Sequence, residues 1–151
     1  MRVYIAGPIS GKSFDEVQKY YNEAAVKLLR MGYHPLHALI GKDHLRNEAK
    51  FRKKDYRHPV ATNHAIYERD HWMTEQCDIL FVDFSSATDV SIGTCFELAW
   101  ASRLRKHTVG VLPEDNPHQH AFVIEALDVV FETSEDAYRY LEALGGRKTY
   151  E

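Results

Sequence analysis

Short continuous apolar runs alternate along the chain with longer segments in which apolar residues recur every three or four positions. The runs at residues 2–6 (RVYIA), 79–84 (ILFVDF), 107–112 (HTVGVL) and 128–131 (DVVF) have the length of buried strands. Residues 33–39, interrupted by Pro35, form a weaker one. Between the first two, Phe14, Val17, Tyr21, Ala24, Ala25 and Leu28 keep a helical period after a Ser13/Glu16 capping-box spacing, and Gly32 ends the helix. Further helices are expected over 64–76, with Asn63 as cap, over 93–105, briefly near 120–126, and over 134–144 before Gly145-Gly146. Residues 41–58 read as a polar loop or broken helix, and 85–92 as a loop.

Strands that alternate with helices imply βαβ crossovers, hence a parallel sheet covered on both faces. Five strands suit a flavodoxin-like, doubly wound α/β domain with strand order 2-1-3-4-5, spanning residues 1–151 without linker or repeat. Such folds bind ligands at the carboxyl ends of the strands, beside the switch point between strands 1 and 3. The segments at 7–13 and 84–97 follow those two strands.

Composition narrows the class of function. With 151 residues, 27% charged residues and a net charge of −3, nothing global favours nucleic acid or an anionic membrane. No apolar run has spanning length and no charged-then-apolar leader opens the sequence, so a cytoplasmic protein is expected. Cys77 and Cys95 read as free thiols. Residues 42–57 carry seven Lys or Arg against three Asp or Glu. Such a run is more often a solvated face than a lid over a ligand. Tyr20, Tyr21 and Trp100, at helical spacing, read as core or interface.

The first loop ends in Gly11-Lys12-Ser13, the tail of a phosphate-cradling P-loop, and the DILFVD strand ends in an acid that such enzymes use for magnesium. The rest of the loop argues against a small kinase. Ala6 stands at the first glycine position, Pro8 removes an N–H from the cradle, and Ser13 with Glu16 caps the helix rather than entering it.

The second loop, DVSIGTCFELAWASRLRK at 89–106, is more informative. Gly93 and Thr94 are expected to begin a helix with Glu97 in its first turn, where the dipole favours an ionised carboxylate. An ionised carboxylate at the ligand edge of an α/β sheet suits attack on an anomeric carbon. His118-x-His120 is a weak metal pair, lacking a third ligand nearby, so neither a metal nor a cofactor is expected.

Most of the chain resembles the nucleoside 2-deoxyribosyltransferase family. The matching pieces are YIAGPISG after strand 1, Arg69-Asp70, CDILFVDF as strand 3, and SIGTCFELAWA into the next helix. The resemblance implies that Glu97 is the nucleophile, Tyr4 orients it, and Asp70 handles the base. It implies a retaining double displacement on a 2′-deoxynucleoside, with a free base or water as acceptor. Gly7, Pro8, Ile9, Ser10 and Lys12 of the first loop, and Asp89, Ser91 and Gly93 of the second, are the expected substrate contacts.

Three departures from the family pattern bear on the substrate. The acidic pair usual before the Gly-Thr is replaced by Ser91-Ile92, with Asp89 the nearest acid. SIGxxxEL also resembles the related deoxynucleoside 5′-monophosphate N-glycosidases, where that serine holds the phosphate. Those hydrolases carry an arginine in the first loop where this chain has Ser10. Third, Ala121 occupies the position from which a neighbouring subunit completes the pocket. Asn116, His118 or His120 would then supply that contact, and a shared site implies a homodimer or larger assembly. The alternative reading is therefore a monophosphate N-glycosidase. Less favoured are a non-catalytic nucleotide-binding domain and a P-loop kinase.

Overall fold

A computed structural model describes residues 1–47, 49–54 and 56–145. Gly146 of the expected helix stop, and the acids at 48 and 55 of the basic run, lie outside the described residues. Five strands, β1 (Arg2–Ala6), β2 (His34–His37), β3 (Ile79–Asp83), β4 (His107–Val111) and β5 (Val129–Phe131), form one parallel sheet in the order β2-β1-β3-β4-β5. The helices are α1 (Phe14–Arg30), α2 (Asn63–Gln76), α3 (Ile92–Arg103), α4 (Ala121–Glu125) and α5 (Ser134–Gly145), with single 3₁₀ turns at Asp43–Leu45 and Pro59–Ala61.

Strand alternation divides the core. Val3 and Ile5 of β1, with Ile79 and Phe81 of β3, pack against Phe14, Val17, Tyr21 and Leu28 of α1 and Ala137 and Leu141 of α5. Tyr4 and Ala6, with Leu80 and Val82, face the other way, toward Met73 of α2 and Leu98 and Ala101 of α3. β1 therefore hands the chain to one layer and β3 to the opposite one. Because β1 and β3 are neighbours in register, Ala6 beside Val82, their diverging loops leave a crevice at the carboxyl edge.

The helix ends follow capping chemistry with two shifts from expectation. Ser13 caps α1 in a full capping box: its Oγ accepts from the Glu16 N–H and its own N–H donates to the Glu16 carboxylate at 2.7 Å. α2 is capped by Thr62, whose Oγ1 accepts from the Ala65 N–H, so Asn63 is the first helical residue rather than the cap. α3 starts at Ile92 with Ser91 in the cap position. Glu97 thus sits in the second turn rather than the first, beyond the strongest reach of the dipole.

Among the described residues, no helix is long and apolar enough to cross a membrane.

Candidate active site

A cavity of about 360 Å³ opens at the crevice between β1 and β3. Gly7, Pro8, Ile9, Ser10 and Lys12 form one wall, Asp89, Ser91 and Gly93 another, and Asp70 and Glu97 face it from α2 and α3. Gly7 allows the first loop to approach β3 closely: a Cβ there would lie 3.1 Å from the Asp83 carbonyl oxygen.

Glu97 is delivered by α3. Thr94, Glu97, Leu98 and Ala101 make the buried stripe of that helix, so the carboxyl group points inward at the sheet. There it meets Tyr4, whose parity on β1 turns it to the same layer. The Tyr4 hydroxyl donates to Glu97 Oε1 at 2.6 Å, in the buried interior. Glu97 is 7% exposed, and this overturns the expectation of a comfortably ionised carboxylate. Burial, then the nearby Asp70, push its pKa up to about 8, while the Tyr4 hydrogen bond and Lys42 partly offset the rise. Burial and Glu97 together raise the Tyr4 phenol, which stays a donor.

Asp70 lies one turn before Met73 on the inner face of α2, rather than on the helix surface. Among the described residues its Oδ1 has no hydrogen-bond partner; Arg69 Nε stands 3.7 Å away and Lys42 Nζ 3.9 Å away. Burial raises its pKa, opposed by those two cations. The cavity thus holds two carboxyl groups at different depths, one tied to a phenol and one with an uncommitted oxygen. Such a pair can supply a nucleophile and a separate group that handles a proton.

The loops at the mouth are cross-linked. Gly11 N–H donates to the Phe51 carbonyl and Phe51 N–H to the Lys12 carbonyl, which ties segment 41–58 to the first loop. Phe51 stacks near Phe14. The basic run is accordingly more than a solvated face. Arg46, Lys50 and Arg57 are exposed, but Lys42 is buried, and Arg52 and Lys53 line the cavity beside Phe51 and Tyr56. Sequence reasoning did not single out these residues. The local signal for Lys42 was the glycine before it: Gly41 takes a positive φ of 77° and turns the chain back toward the pocket.

Lys12 donates to the Ser86 hydroxyl. With Ser13 as the cap and α1 starting at Phe14, the Lys-Ser pair stays outside the helix, unlike the P-loop arrangement. Asp83 accepts from the Ser85 N–H at 2.9 Å and from the Ser134 hydroxyl at 2.9 Å, so this strand-tip acid holds α5 to β3.

Asn116 and His120 do not line this cavity. Asn116 is buried and its amide donates to the Phe84 carbonyl at 2.7 Å. His120 is exposed and caps α4, accepting from the Phe122 N–H. The intervening His118 is buried with both ring nitrogens engaged, Nδ1 with Asn116 Oδ1 at 3.0 Å and Nε2 with the Ser91 N–H at 2.8 Å. The two histidines thus have separate local roles.

Comparison with known proteins bears on the fold and the family. Among solved structures, a 2-deoxyribosyltransferase from Bacillus psychrosaccharolyticus is similar at a TM-score of 0.65 and 17% identity, covering 93% of this chain and 92% of that one. A CMP N-glycosidase from Clostridium botulinum gives 0.57 and 16%, with 95% and 99% covered. A conserved protein from Enterococcus faecalis V583 gives 0.64 and 14%, with 95% and 98% covered. These likenesses establish the shared fold. No curated protein sequence matches significantly. The family model for nucleoside 2-deoxyribosyltransferase matches residues 3–139, and the chain belongs to that family.

Proposed function

We propose that this protein cleaves the N-glycosidic bond of 2′-deoxynucleosides and passes the deoxyribosyl group to another base, with Glu97 as nucleophile. The observation that carries the reading is the buried 2.6 Å hydrogen bond from Tyr4 to Glu97 at the inner end of a nucleoside-sized cavity. In the first half-reaction a Glu97 oxygen bonds to C1′ as the C1′–N pair leaves with the base, giving a glycosyl ester. In the second, the acceptor attacks C1′ from the side the first base left, and Glu97 is released. Two inversions retain configuration. With its pKa raised to about 8, only part of Glu97 is ionised at neutral pH. Tyr4 holds that fraction in one orientation.

A second reading, hydrolysis of deoxynucleoside 5′-monophosphates, is supported by the polar and basic mouth. Lys12, Ser86, Ser91, Arg52 and Lys53 all line the cavity, and they suit a phosphate better than a neutral 5′-hydroxyl. The resemblance in fold to a CMP N-glycosidase fits it equally.

For assembly, Tyr67, Phe96 and Trp100 meet edge to face on the outside of α2 and α3, with Tyr67 47% and Phe96 48% exposed. This apolar face suits a second copy of the chain, and sedimentation of wild type against Phe96→Asp checks it.

The test of function is mass spectrometry of products from deoxynucleosides and, separately, their 5′-monophosphates, with and without a second base. Glu97→Ala is the control. A new nucleoside formed only with the acceptor supports transfer. Free base released from monophosphates regardless of acceptor supports the hydrolase. Turnover that survives in Glu97→Ala removes Glu97 as nucleophile.

A further inference from the structure

The wall of the cavity has two chemically distinct parts. Ser10, Lys12, Ser86, Asp89, Ser91 and Thr94 supply hydroxyls and charge, which suit a sugar and its 5′ end. Ala38, Leu45, Phe51, Tyr56 and Ile66 supply apolar and aromatic surface, which suits a flat base. Lys42 belongs to the second part, in the same turn as Ala38 and Leu45. Gly41 gives that turn its left-handed residue, the Lys42 N–H donates to the Leu39 carbonyl at 2.9 Å, and the Lys42 carbonyl accepts from the Leu45 N–H at 2.9 Å. The side chain is only 3% exposed, a position that a lysine ordinarily takes only when closely paired. Here the pairing is incomplete. Asp70 Oδ1 stands 3.9 Å from Nζ, too far for a hydrogen bond, and that oxygen is itself sealed from the cavity. Among the described residues the Lys42 ammonium makes no hydrogen bond, yet the residue lines the cavity.

We propose that Lys42 determines which bases the site takes: its ammonium donates a hydrogen bond to an exocyclic carbonyl oxygen, so carbonyl-bearing bases are selected over bases that carry only amino groups. This inference rests on the glycosyl-transfer reading above and names the substrate class for it. The bond is one of recognition, with no proton transferred and no covalent step. An ammonium has three N–H donors and no acceptor, so the group opposite it must bring a lone pair. A carbonyl oxygen brings two. An amino group in its place sets N–H against N–H and leaves a buried charge without a partner, which is the costly arrangement. The surrounding side chains do not relieve that cost, because Ala38, Leu45, Phe51 and Ile66 have no acceptor to offer. The short turn that carries Lys42 is fixed at both of its backbone bonds, so the ammonium is held at one depth in the wall. Its role is separate from those of Lys12 and Ser86, which pair with each other on the other part of the wall.

The test compares bases of matched size that differ at one carbonyl. Hypoxanthine is paired with adenine, and cytosine with 4-aminopyrimidine. Binding of each free base to wild type, Lys42→Met and Lys42→Gln is measured by titration calorimetry, with thermal unfolding to confirm folded protein. In wild type the carbonyl member of at least one pair is expected to bind about 10–100-fold more tightly than its partner. In Lys42→Met the two members bind about equally, through weaker binding of the carbonyl member. Lys42→Gln, whose amide can turn either a donor or an acceptor to the base, also loses the preference and stands in if the methionine variant does not fold. A preference that survives both substitutions, equal weakening of both members, or a wild type that shows no preference or binds none of the four bases overturns the proposal. Turnover of deoxynucleosides and their 5′-monophosphates by wild type is followed in parallel. Turnover without a Lys42-dependent preference leaves the glycosyl-transfer reading standing and removes Lys42 from it, whereas no turnover of any substrate overturns that reading, and the role of Lys42 with it.

Discussion

The backbone N–H of Ser91 donates to Nε2 of His118 at 2.8 Å, joining the loop that leads into α3 to the loop that follows β4. The relay continues inward. His118 Nδ1 engages the Asn116 side-chain oxygen, and the Asn116 amide donates to the Phe84 carbonyl at the end of β3. An Nε2 that accepts requires the neutral ring with its proton on Nδ1. Burial, which lowers the His118 pKa, favours that neutral form. The segment that carries Ser91 and Asp89 to the cavity mouth is therefore held by a buried, uncharged imidazole.

His118→Phe is expected to keep the ring packed on Phe84, 4.2 Å away between centroids, while leaving the Ser91 N–H without its acceptor. Loss of that buried acceptor costs about 1–3 kcal/mol. Because Ser91 lines the mouth and Glu97 is held independently by Tyr4, KM is expected to rise several-fold with a smaller change in kcat. Steady-state kinetics with a chemical denaturation curve check both parts.

Tyr4→Phe removes the hydrogen bond that offsets the burial of Glu97. The Glu97 pKa then moves above its present value of about 8, so the nucleophile is less ionised at any pH below that. The ascending limb of the kcat profile is expected to move to higher pH. A limb displaced by about one pH unit corresponds to a loss of about tenfold at pH 7, recovered in part above the new limb. A limb that stays in place assigns it to another group.

Much of the fold was legible because its strands are continuous apolar runs and its first helix carries its own cap. Residues 79–84 are apolar apart from one acid, and the Ser13/Glu16 spacing marks the start of α1 within a residue. Where two cap-forming residues adjoin, as Thr62 and Asn63 do, local chemistry does not choose between them. α3 starts one residue earlier than expected, with Ser91 in the cap position but without a side-chain cap bond, and Glu97 falls in the second turn rather than the first. Glu97, Tyr4 and Asp70 were singled out through family-like motifs, but the raised Glu97 pKa is a consequence of tertiary burial and left no mark in the sequence. Lys42 looked like six other cations in a polar run until Gly41 and Leu45 folded it inward. His118 read as half of a weak metal pair or as a contact to a neighbouring subunit, because its partners, Ser91 and Asn116, come together only when two loops meet.

Glu97 should also lower stability as pH rises from the acid range to about 8. Its folded pKa lies above the unfolded value, so folding favours the protonated acid. Below about pH 4.5 the group is neutral in both states and imposes no penalty. As pH rises from there to about 8 the unfolded chain ionises and the buried group resists, so stability is progressively lost. Glu97→Gln abolishes this dependence while keeping an oxygen for Tyr4. Its Tm is expected to match wild type near the bottom of that range and to exceed it increasingly toward pH 8. A Tm difference that is flat with pH would show that Glu97 is not the strained group.

Gly7 and Gly11 stand in the same loop and should respond differently to alanine. At Gly7 the obstacle is spatial: the added Cβ meets the Asp83 carbonyl oxygen at 3.1 Å. That carbonyl belongs to the central strand β3, whose end is further fixed by the bonds from Ser85 and Ser134 to the Asp83 side chain. The strand does not give way, so the first loop must move, and it carries Pro8, Ile9 and Ser10 along the cavity wall. At Gly11 there is open space but a φ of +82°, which costs an alanine about 1–2 kcal/mol of backbone strain without displacing the wall. Both variants are expected to lose stability, Gly7→Ala by about 1–3 kcal/mol. Only Gly7→Ala is expected to weaken substrate binding as well. Equal KM values for the two variants would place the substrate away from this wall.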